Sequence, residues 1–315
     1  MINVIPYTED KKSLWNNFNK NAKNGIFMFE RNYMDYHSDR FRDNSLMFYN
    51  GDELVALLPL NKKENKLISH EGLTFGGFIT NSKMKPQIML ECFESLREYM
   101  LRNGCSTLLY KVLPHIYHTL PAEDDLYALF RNKAFIYKVE PSNTINLQEP
   151  IKISRGRKPH ISRAKREGVE IAYSEDFETF IDLVNLVLSK RHGAIAVHTA
   201  NELRLLKSRF PNEINLWTAM YQGKMIAATL LFEYKNVVHT QYLASNDLSC
   251  EIGGLDLLLS TLIEKFKGKK KYFDFGISSE NNGLYLNEGL YNQKATFGGK
   301  CTCHLTYSLE FSNVK

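Results

Sequence analysis

The sequence predicts an α/β chain of two domains, and three observations carry that reading. Its 315 residues are enough for about two ordinary domains. Its second half runs strand, two helices, three antiparallel strands, helix, strand, helix, strand, judged by apolar periodicity and turn residues. Its first half repeats much of that succession without repeating the residues.

The second half has the cleaner pattern. Val169–Tyr173 (VEIAY) predicts a strand. The helix that follows carries its apolar stripe on Phe177, Phe180, Ile181, Val184 and Leu188, with Ser174 as its expected N-cap. A second helix, NELRLLKSRF, ends before Pro211. Three strands, LWTAMY, MIAATLLFEY and VVHTQYLAS, are joined by QGK and KN, which are hairpin signals. Leu255, Leu258, Leu259, Leu262, Ile263 and Phe266 then fall on one face of a helix over IGGLDLLLSTLIEKFKGKKK. KYFDFGIS predicts a strand, LYLNEGLYNQKATF a last helix, and CHLTYSLEF a closing strand.

In the first half, SLMFYNGDELVALLPL reads as strand, one-glycine hairpin, strand. NKLISHE is expected to be the third strand. KPQIMLECFESLREYMLRNG has a helical stripe from Ile88 to Met100, and STLLYKV reads as the strand after it. The join falls near NLQEPIKISRGRK, dividing the chain into residues 1–150 and 151–315. No flexible Ser/Gly linker stands there, so close packing of the two halves is expected.

Composition narrows the function. Hydrophobic residues make up 43% and charged residues 24%, as in ordinary globular proteins. Apolar runs such as MIAATLLF are too short to span a bilayer, and MINVIPYTEDKKSLW lacks the basic start and apolar core of a signal peptide. Five scattered Cys suggest free thiols in a reducing, cytoplasmic compartment. A net charge of +5 suits a phosphate-bearing ligand and calls for no DNA partner.

Two segments share the word TFGG: Thr74–Gly77 and Thr296–Gly299. The second copy follows Lys294, giving Lys-x-x-Phe-Gly. From Lys152 to Arg166 the chain carries seven Lys/Arg and no acid. A run of this kind either faces water or anchors a polyanion. KPHISRAKREGVEI together with FDFGISSENNGLYLNEGLYNQKATFGG resembles the FemAB-like branch of the GNAT superfamily of N-acyltransferases. In that branch a basic helix opens the second repeat and a Lys-x-x-Phe-Gly segment closes the site. The resemblance covers nearly the whole chain. It implies two tandem GNAT-like domains, each a mixed, mostly antiparallel sheet flanked by helices.

It also implies an activity: transfer of an acyl group to an amine of a cell-envelope saccharide or peptidoglycan precursor. The acceptor is a small-molecule or lipid-linked amine, and a transient contact with a membrane surface is compatible with it. The donor is acyl-CoA or, as an alternative, aminoacyl-tRNA. The long heptad hairpin that some members carry for tRNA is missing from this sequence. A non-catalytic protein binding an anionic sugar or RNA is the alternative from another class.

Direct transfer needs a base for the amine, donors for the oxyanion and no protein nucleophile. No Gly-x-Ser-x-Gly elbow is present, and DFG lacks the other kinase motifs. Lys294, expected to be partly solvated, is the first candidate, to meet phosphate or oxyanion. Asp274, Glu280 and Tyr285 are candidate acids and bases. Glu71, Gly76, Gly77, His239, Tyr242, Phe297, Gly298 and Arg163 are candidate substrate contacts, the two Gly-Gly segments lining one cleft. An ordinary turn explains either glycine pair equally well, and packing explains the tyrosines. Ile252, Gly253, Gly254 and Leu255 stand where GNAT enzymes hold the CoA pyrophosphate, although the motif is degraded to Cys-x-x-Gly-x-Leu. Cys301-x-Cys303-His304 has no second ligand pair of matching spacing, so no metal is expected.

Overall fold

The computed structural model describes residues 1–311, without the side chains of residues 191 and 192. The first elements are β1 (Ile2–Pro6), α1 (Lys12–Asn21), α2 (Arg31–Met34), β2 (Leu46–Asn50), β3 (Glu53–Leu58), β4 (Asn61–Lys63), β5 (Lys66–Ile68), β6 (Ile79–Thr80), α3 (Pro86–Arg102), β7 (Thr107–Lys111) and α4 (Asp124–Arg131). Then come β8 (Phe135–Asn146), α5 (Arg157–Arg166), β9 (Glu170–Ser174), α6 (Phe177–His192), α7 (Ala200–Arg209), β10 (Ile214–Tyr221), β11 (Lys224–Glu233), β12 (Val237–Ser245), α8 (Asp247–Ile252) and α9 (Gly254–Phe266). The chain finishes with β13 (Tyr272–Ile277), β14 (Ser279–Glu280), β15 (Tyr285–Leu286), α10 (Glu288–Ala295) and β16 (Lys300–Glu310). Two compact units form: Met1–Glu140 with the C-terminal residues from Cys303 onward, and Pro141–Thr302. Among the described residues no helix is long and apolar enough to cross a membrane.

In the first unit β1, β2, β3 and β6 form an antiparallel sheet. The β2–β3 hairpin turns through Gly51 at φ +59°, a left-handed conformation that glycine adopts without cost. A second set of strands pairs β4 with β5, β5 in parallel with β7, and β7 with the last strand, β16. Pro86 opens α3, where its missing N–H removes no helical bond. The buried face of α3, from Met89 through Phe93 and Leu96 to Met100, packs into a core with Phe48, Phe78, Leu108 and Tyr110.

The expected third strand of this half differs in the structure. NKLISHE contributes only Lys66–Ile68, and it pairs with β7, not with β3. The strand beside β3 is the two-residue β6. Segments of two or three residues are too short to show a period, so the pattern could not separate them.

The second unit is built on a run of neighbouring strands, β8 and β9 to β13. β9 to β12 are antiparallel neighbours, β13 lies parallel to β12, and β8 runs antiparallel to β13. Leu258, Leu259, Leu262, Ile263 and Phe266 of α9 bury against Ala227, Leu231 and Val238 of the sheet. Each unit is thus a mixed, mostly antiparallel arrangement flanked by helices. Local boundaries differ from the expectation in two places. Asp176, not Ser174, caps α6, accepting the Thr179 N–H at 3.0 Å. The helix expected from Ile252 starts at Gly254, behind a separate short helix, α8, that ends at Ile252, with Gly253 at φ +86° between the two.

In the first unit, a Cβ added at Gly76 would lie 2.0 Å from the Ser69 carbonyl oxygen, which is backbone and cannot rotate away. Gly76→Ala is therefore expected to lower stability by about 2–4 kcal/mol. Gly289→Ala, in α10 with its nearest atom 3.7 Å away, should be neutral or stabilising by about 0.5–1 kcal/mol. Urea denaturation of both variants checks the contrast, and equal midpoints would refute it.

Candidate active site

The site begins with a carboxylate that has nowhere to go. Asp274 on β13 is fully buried. β12 and β13 pair over only three residues each, Val237–His239 with Tyr272–Asp274, so His239 stands directly beside Asp274. On the other side β8 brings Thr144 opposite Asp274. The His239 Nδ1 lies 2.8 Å from Asp274 Oδ2. Ser142 and Thr144 donate their hydroxyls to Oδ1 at 2.5 and 3.0 Å. Both carboxylate oxygens are thereby satisfied, as a buried charge requires. Nδ1 is engaged with the carboxylate, and in a neutral ring that donates there Nε2 is the acceptor nitrogen.

Two residues further on, Gly276 takes φ +74° where the β13–β8 register shifts, and Ile277 pairs with Ser142 beyond it. The carbonyls of Gly276 and Ile277 accept from Lys294 Nζ at 2.9 and 2.6 Å. Lys294 is buried, contrary to the expected partial solvation. Burial pulls its ammonium down from 10.5 to about 8, and the negative charge of Asp274 works against that. An ammonium has three N–H donors, and two go to these carbonyls. Gly276 also abuts the imidazole: a Cβ placed there would lie 3.2 Å from His239 Cε1. One glycine therefore accepts from the lysine and lies close against the imidazole.

Asn287 sets the direction of α10. Its side chain caps the helix by accepting the Leu290 N–H at 3.0 Å, and its own N–H reaches Ser278 O at 3.0 Å. At the other end Phe297 is a core residue beside Phe275, not a surface contact. Gly298 has φ +101°, and a Cβ on Gly299 would meet Asn143 Cβ at 3.0 Å. The Phe-Gly-Gly word thus closes the helix and packs it onto β8. Arg157, at the start of α5, clamps the segment: Nε donates to Thr296 Oγ1 at 2.9 Å and the guanidinium lies 5.1 Å over Phe297. Its other arm pairs with Asp256 of α9 at 2.7 Å.

Sequence reasoning chose Arg163 from the basic run, but Arg163 is exposed and Arg157 is the one turned inward. It also passed over Ser142, Thr144 and Asp256. Ser142 and Thr144 are ordinary hydroxyl residues on a strand, with no spacing signal. Asp256, an acid set between Leu255 and Leu257 of α9, was a signal that could have been used.

Other candidates lie apart from this constellation. Glu280 is exposed and bonds Asn287 Nδ2 at 2.8 Å, while the exposed Tyr285 pairs opposite it in the β14–β15 hairpin. The Tyr242 hydroxyl is 2.8 Å from His198 Nδ1. Around Ile252, Gly253, Gly254 and Leu255 the backbone is occupied: the Gly253 N–H goes to Ser249 O and the Leu255 N–H to Ser249 Oγ. A Cβ on Gly253 would also strike His160 O of α5 at 2.3 Å.

In the first unit the Glu71 carboxylate is an exposed partner of Lys63 at 3.8 Å. Its carbonyl joins those of His70 and Leu73 around Lys111 Nζ, an amine that burial pulls down to about 8. Gly76 and Gly77 answer to packing, the latter at φ +86° against the Tyr110 hydroxyl. Cys301 and Cys303 are exposed thiols. Among the described residues no group of three or more His, Cys, Asp or Glu is placed to hold a metal.

Gly276→Ala tests the packing against His239. It forces a side chain into a left-handed conformation and against the His239 ring, with an expected cost of about 1–3 kcal/mol. The His239 ring protons, followed by NMR, should shift in this variant. An unchanged spectrum and unchanged stability would contradict the assigned packing.

No protein-family model matches the sequence, and no curated protein matches it. Solved structures do. The chain is similar to FemX with a TM-score of 0.68 at 10% identity, over 98% of this chain and 97% of that one. It is similar to L-PGS from Bacillus licheniformis with a TM-score of 0.59 at 13% identity, over 90% and 92% of the two chains. It is also similar to a tandem GNAT protein from the clavulanic acid biosynthesis pathway, TM-score 0.55 at 10% identity over 100% of both. At such identities the likeness speaks for the fold, and the fold of this chain is that of the FemAB-like tandem GNAT proteins.

Proposed function

We propose that the chain is an N-acyltransferase that joins an acyl group to an amine by direct attack, with the chemistry in the second unit. One observation carries the reading: a buried lysine brought to about 8 is bound to the carbonyl of a glycine that lies against an imidazole held by a buried aspartate. A buried, shifted group beside a charge partner is a candidate for function.

The amine nitrogen attacks the donor carbonyl carbon, and the C=O electron pair moves onto oxygen. His239 takes the amine proton at Nε2, and Asp274 holds the resulting imidazolium. Lys294, mostly protonated at neutral pH, faces the developing oxyanion with its third N–H. Collapse re-forms the carbonyl and breaks the bond to the donor's sulfur or ribose oxygen, which takes the proton from His239 Nε2 and leaves the imidazole neutral again.

The acceptor class is an amine of a cell-envelope saccharide or peptidoglycan precursor, free or lipid-linked, met in the cytoplasm. Acyl-CoA is the donor expected of GNAT folds. Aminoacyl-tRNA is the second reading, favoured by the occupied N–H groups at Gly253 and Leu255 and by the exposed cations of α5. Thermal-shift titration with acetyl-CoA and with charged tRNA separates the two, since a donor at a hundredfold its Kd stabilises by about 2.7 kcal/mol. Stabilisation by neither would sink the transferase reading.

Lys294→Met should lower kcat/KM roughly ten- to hundredfold, the worth of about 1.5–3 kcal/mol for a charge-assisted contact. Wild-type activity should fall as pH rises through about 8, where Lys294 loses its proton, and Lys294→Arg should retain partial activity without that limb. Between about 8 and 10.5 the unfolded chain holds the proton and the folded chain does not. Stability relative to Lys294→Met should therefore rise over that window and stay flat below it. A pH profile identical in wild type and Lys294→Arg would remove Lys294 from the mechanism.

A further inference from the structure

The first unit carries an apolar patch that its own core does not use. Tyr127 and Phe130 lie on one face of α4 at i, i+3 spacing, and both are exposed, Phe130 by 75%. After a tight turn β8 opens with Phe135, Ile136 and Tyr137, which are 54%, 55% and 52% exposed. Alternate residues of a strand point to opposite faces, so three consecutive exposed side chains leave both faces of this stretch open. The turn keeps the two groups together: the Ala134 N–H returns to Leu129 O at 3.0 Å, bringing Phe135 beside the end of α4. Scattered apolar residues are normal on a surface, whereas a contiguous aromatic patch marks a contact.

Charge selects the contact. Arg131 and Lys133 stand exposed in the same turn. Arg131 stays beside Tyr127, donating to its hydroxyl at 3.0 Å. The nearby acids are engaged or remote from the turn. Glu140 pairs with Lys138 at 2.7 Å, and Asp124 pairs with Lys23 at 2.8 Å. Asp125 is buried against Tyr110, and Glu123 lies at the other end of α4. Lys133 itself has φ +59°, at a helix end where glycine fits best, so a cation is kept at a position that the backbone disfavours. Aromatic side chains flanked by Lys and Arg match the interface of an anionic bilayer. A second copy would bring its own Arg131 and Lys133 to the same rim, like charge against like.

We infer that the α4–β8 corner is a docking surface for an anionic membrane, which the start of β8 enters edge-on, so that Phe135, Ile136 and Tyr137 reach the headgroup layer from both faces of the strand beside Phe130 while Arg131 and Lys133 meet lipid phosphates. The inference goes beyond the transferase reading and does not depend on it.

Vesicle flotation of the full chain tests it, with phosphatidylcholine alone and with about 30% phosphatidylglycerol. The wild type should float with the anionic vesicles at low salt and be released by high salt. The double variant Phe130→Ser/Ile136→Ser and the double variant Arg131→Glu/Lys133→Glu should each lower the partition coefficient about tenfold or more. Lys133→Gly relieves the left-handed backbone and should leave the fold as stable or more so, yet still weaken vesicle binding. That variant separates a membrane role from loss of folding. Failure of the wild type to bind anionic vesicles overturns the inference, as does full binding by Lys133→Gly together with Phe130→Ser/Ile136→Ser. Light scattering that shows a dimer broken by Phe130→Ser/Ile136→Ser would also overturn it, assigning the patch to self-association.

Discussion

A carboxylate removed from water must find donors for both oxygens, and in the second unit that demand organises three strands at once. Asp274 reaches His239 on β12 and the two hydroxyls of Ser142 and Thr144 on β8. Those contacts hold β13 between its neighbours where the ladder to β12 is only three residues long. With β13 fixed, the left-handed turn at Gly276 presents two carbonyls to Lys294, and α10 is tied down at that end. Replacing Asp274 by an apolar residue would leave an imidazole and two hydroxyls buried without their acceptor, a larger loss than one hydrogen bond.

The Phe-Gly-Gly words then have a plain physical basis. Each glycine stands where backbone or side-chain atoms leave too little room for a Cβ, or where φ is left-handed. Gly76 meets Ser69 O, Gly77 the Tyr110 hydroxyl, Gly299 Asn143, and Gly298 has φ +101°. Phe75 and Phe297 are both core residues. What distinguishes the second copy is the lysine, whose stem is buried by the same packing that seats Phe297. A lysine in such a place lowers its proton affinity because burial penalises the ammonium more than Asp274 supports it.

Long amphipathic helices and hairpins were legible because their signals are local. The stripe from Met89 to Met100 and that from Leu255 to Phe266 repeat every three to four residues, and the β2–β3 turn places its glycine where the backbone must be left-handed. Candidate chemistry was legible only as residue type: Asp274, His239 and Lys294 were named, but nothing in their spacing along the chain joined them. Arg157 and Arg163 are equivalent in sequence, and their difference is the direction each takes from α5. Leu284–Leu286 reads as the start of a helix, yet Tyr285 and Leu286 pair with Glu280 and Ser279, and α10 waits for the cap at Asn287.

By itself the sequence determined the class of the fold, most of its helices and strands, and the presence of the Lys-x-x-Phe-Gly segment, since periodicity and turn residues act over a few residues. Strand partnership was decided only by tertiary structure. The last strand, β16, pairs with β7 in the first unit, and β8 supplies Ser142 and Thr144 beside β13 in the second. These pairings join residues more than a hundred positions apart, where the chain carries no local record of its partner. The same long-range pairing brings His239 to Asp274, and the carbonyls at the end of β13 bring Lys294 of α10 to the same cluster.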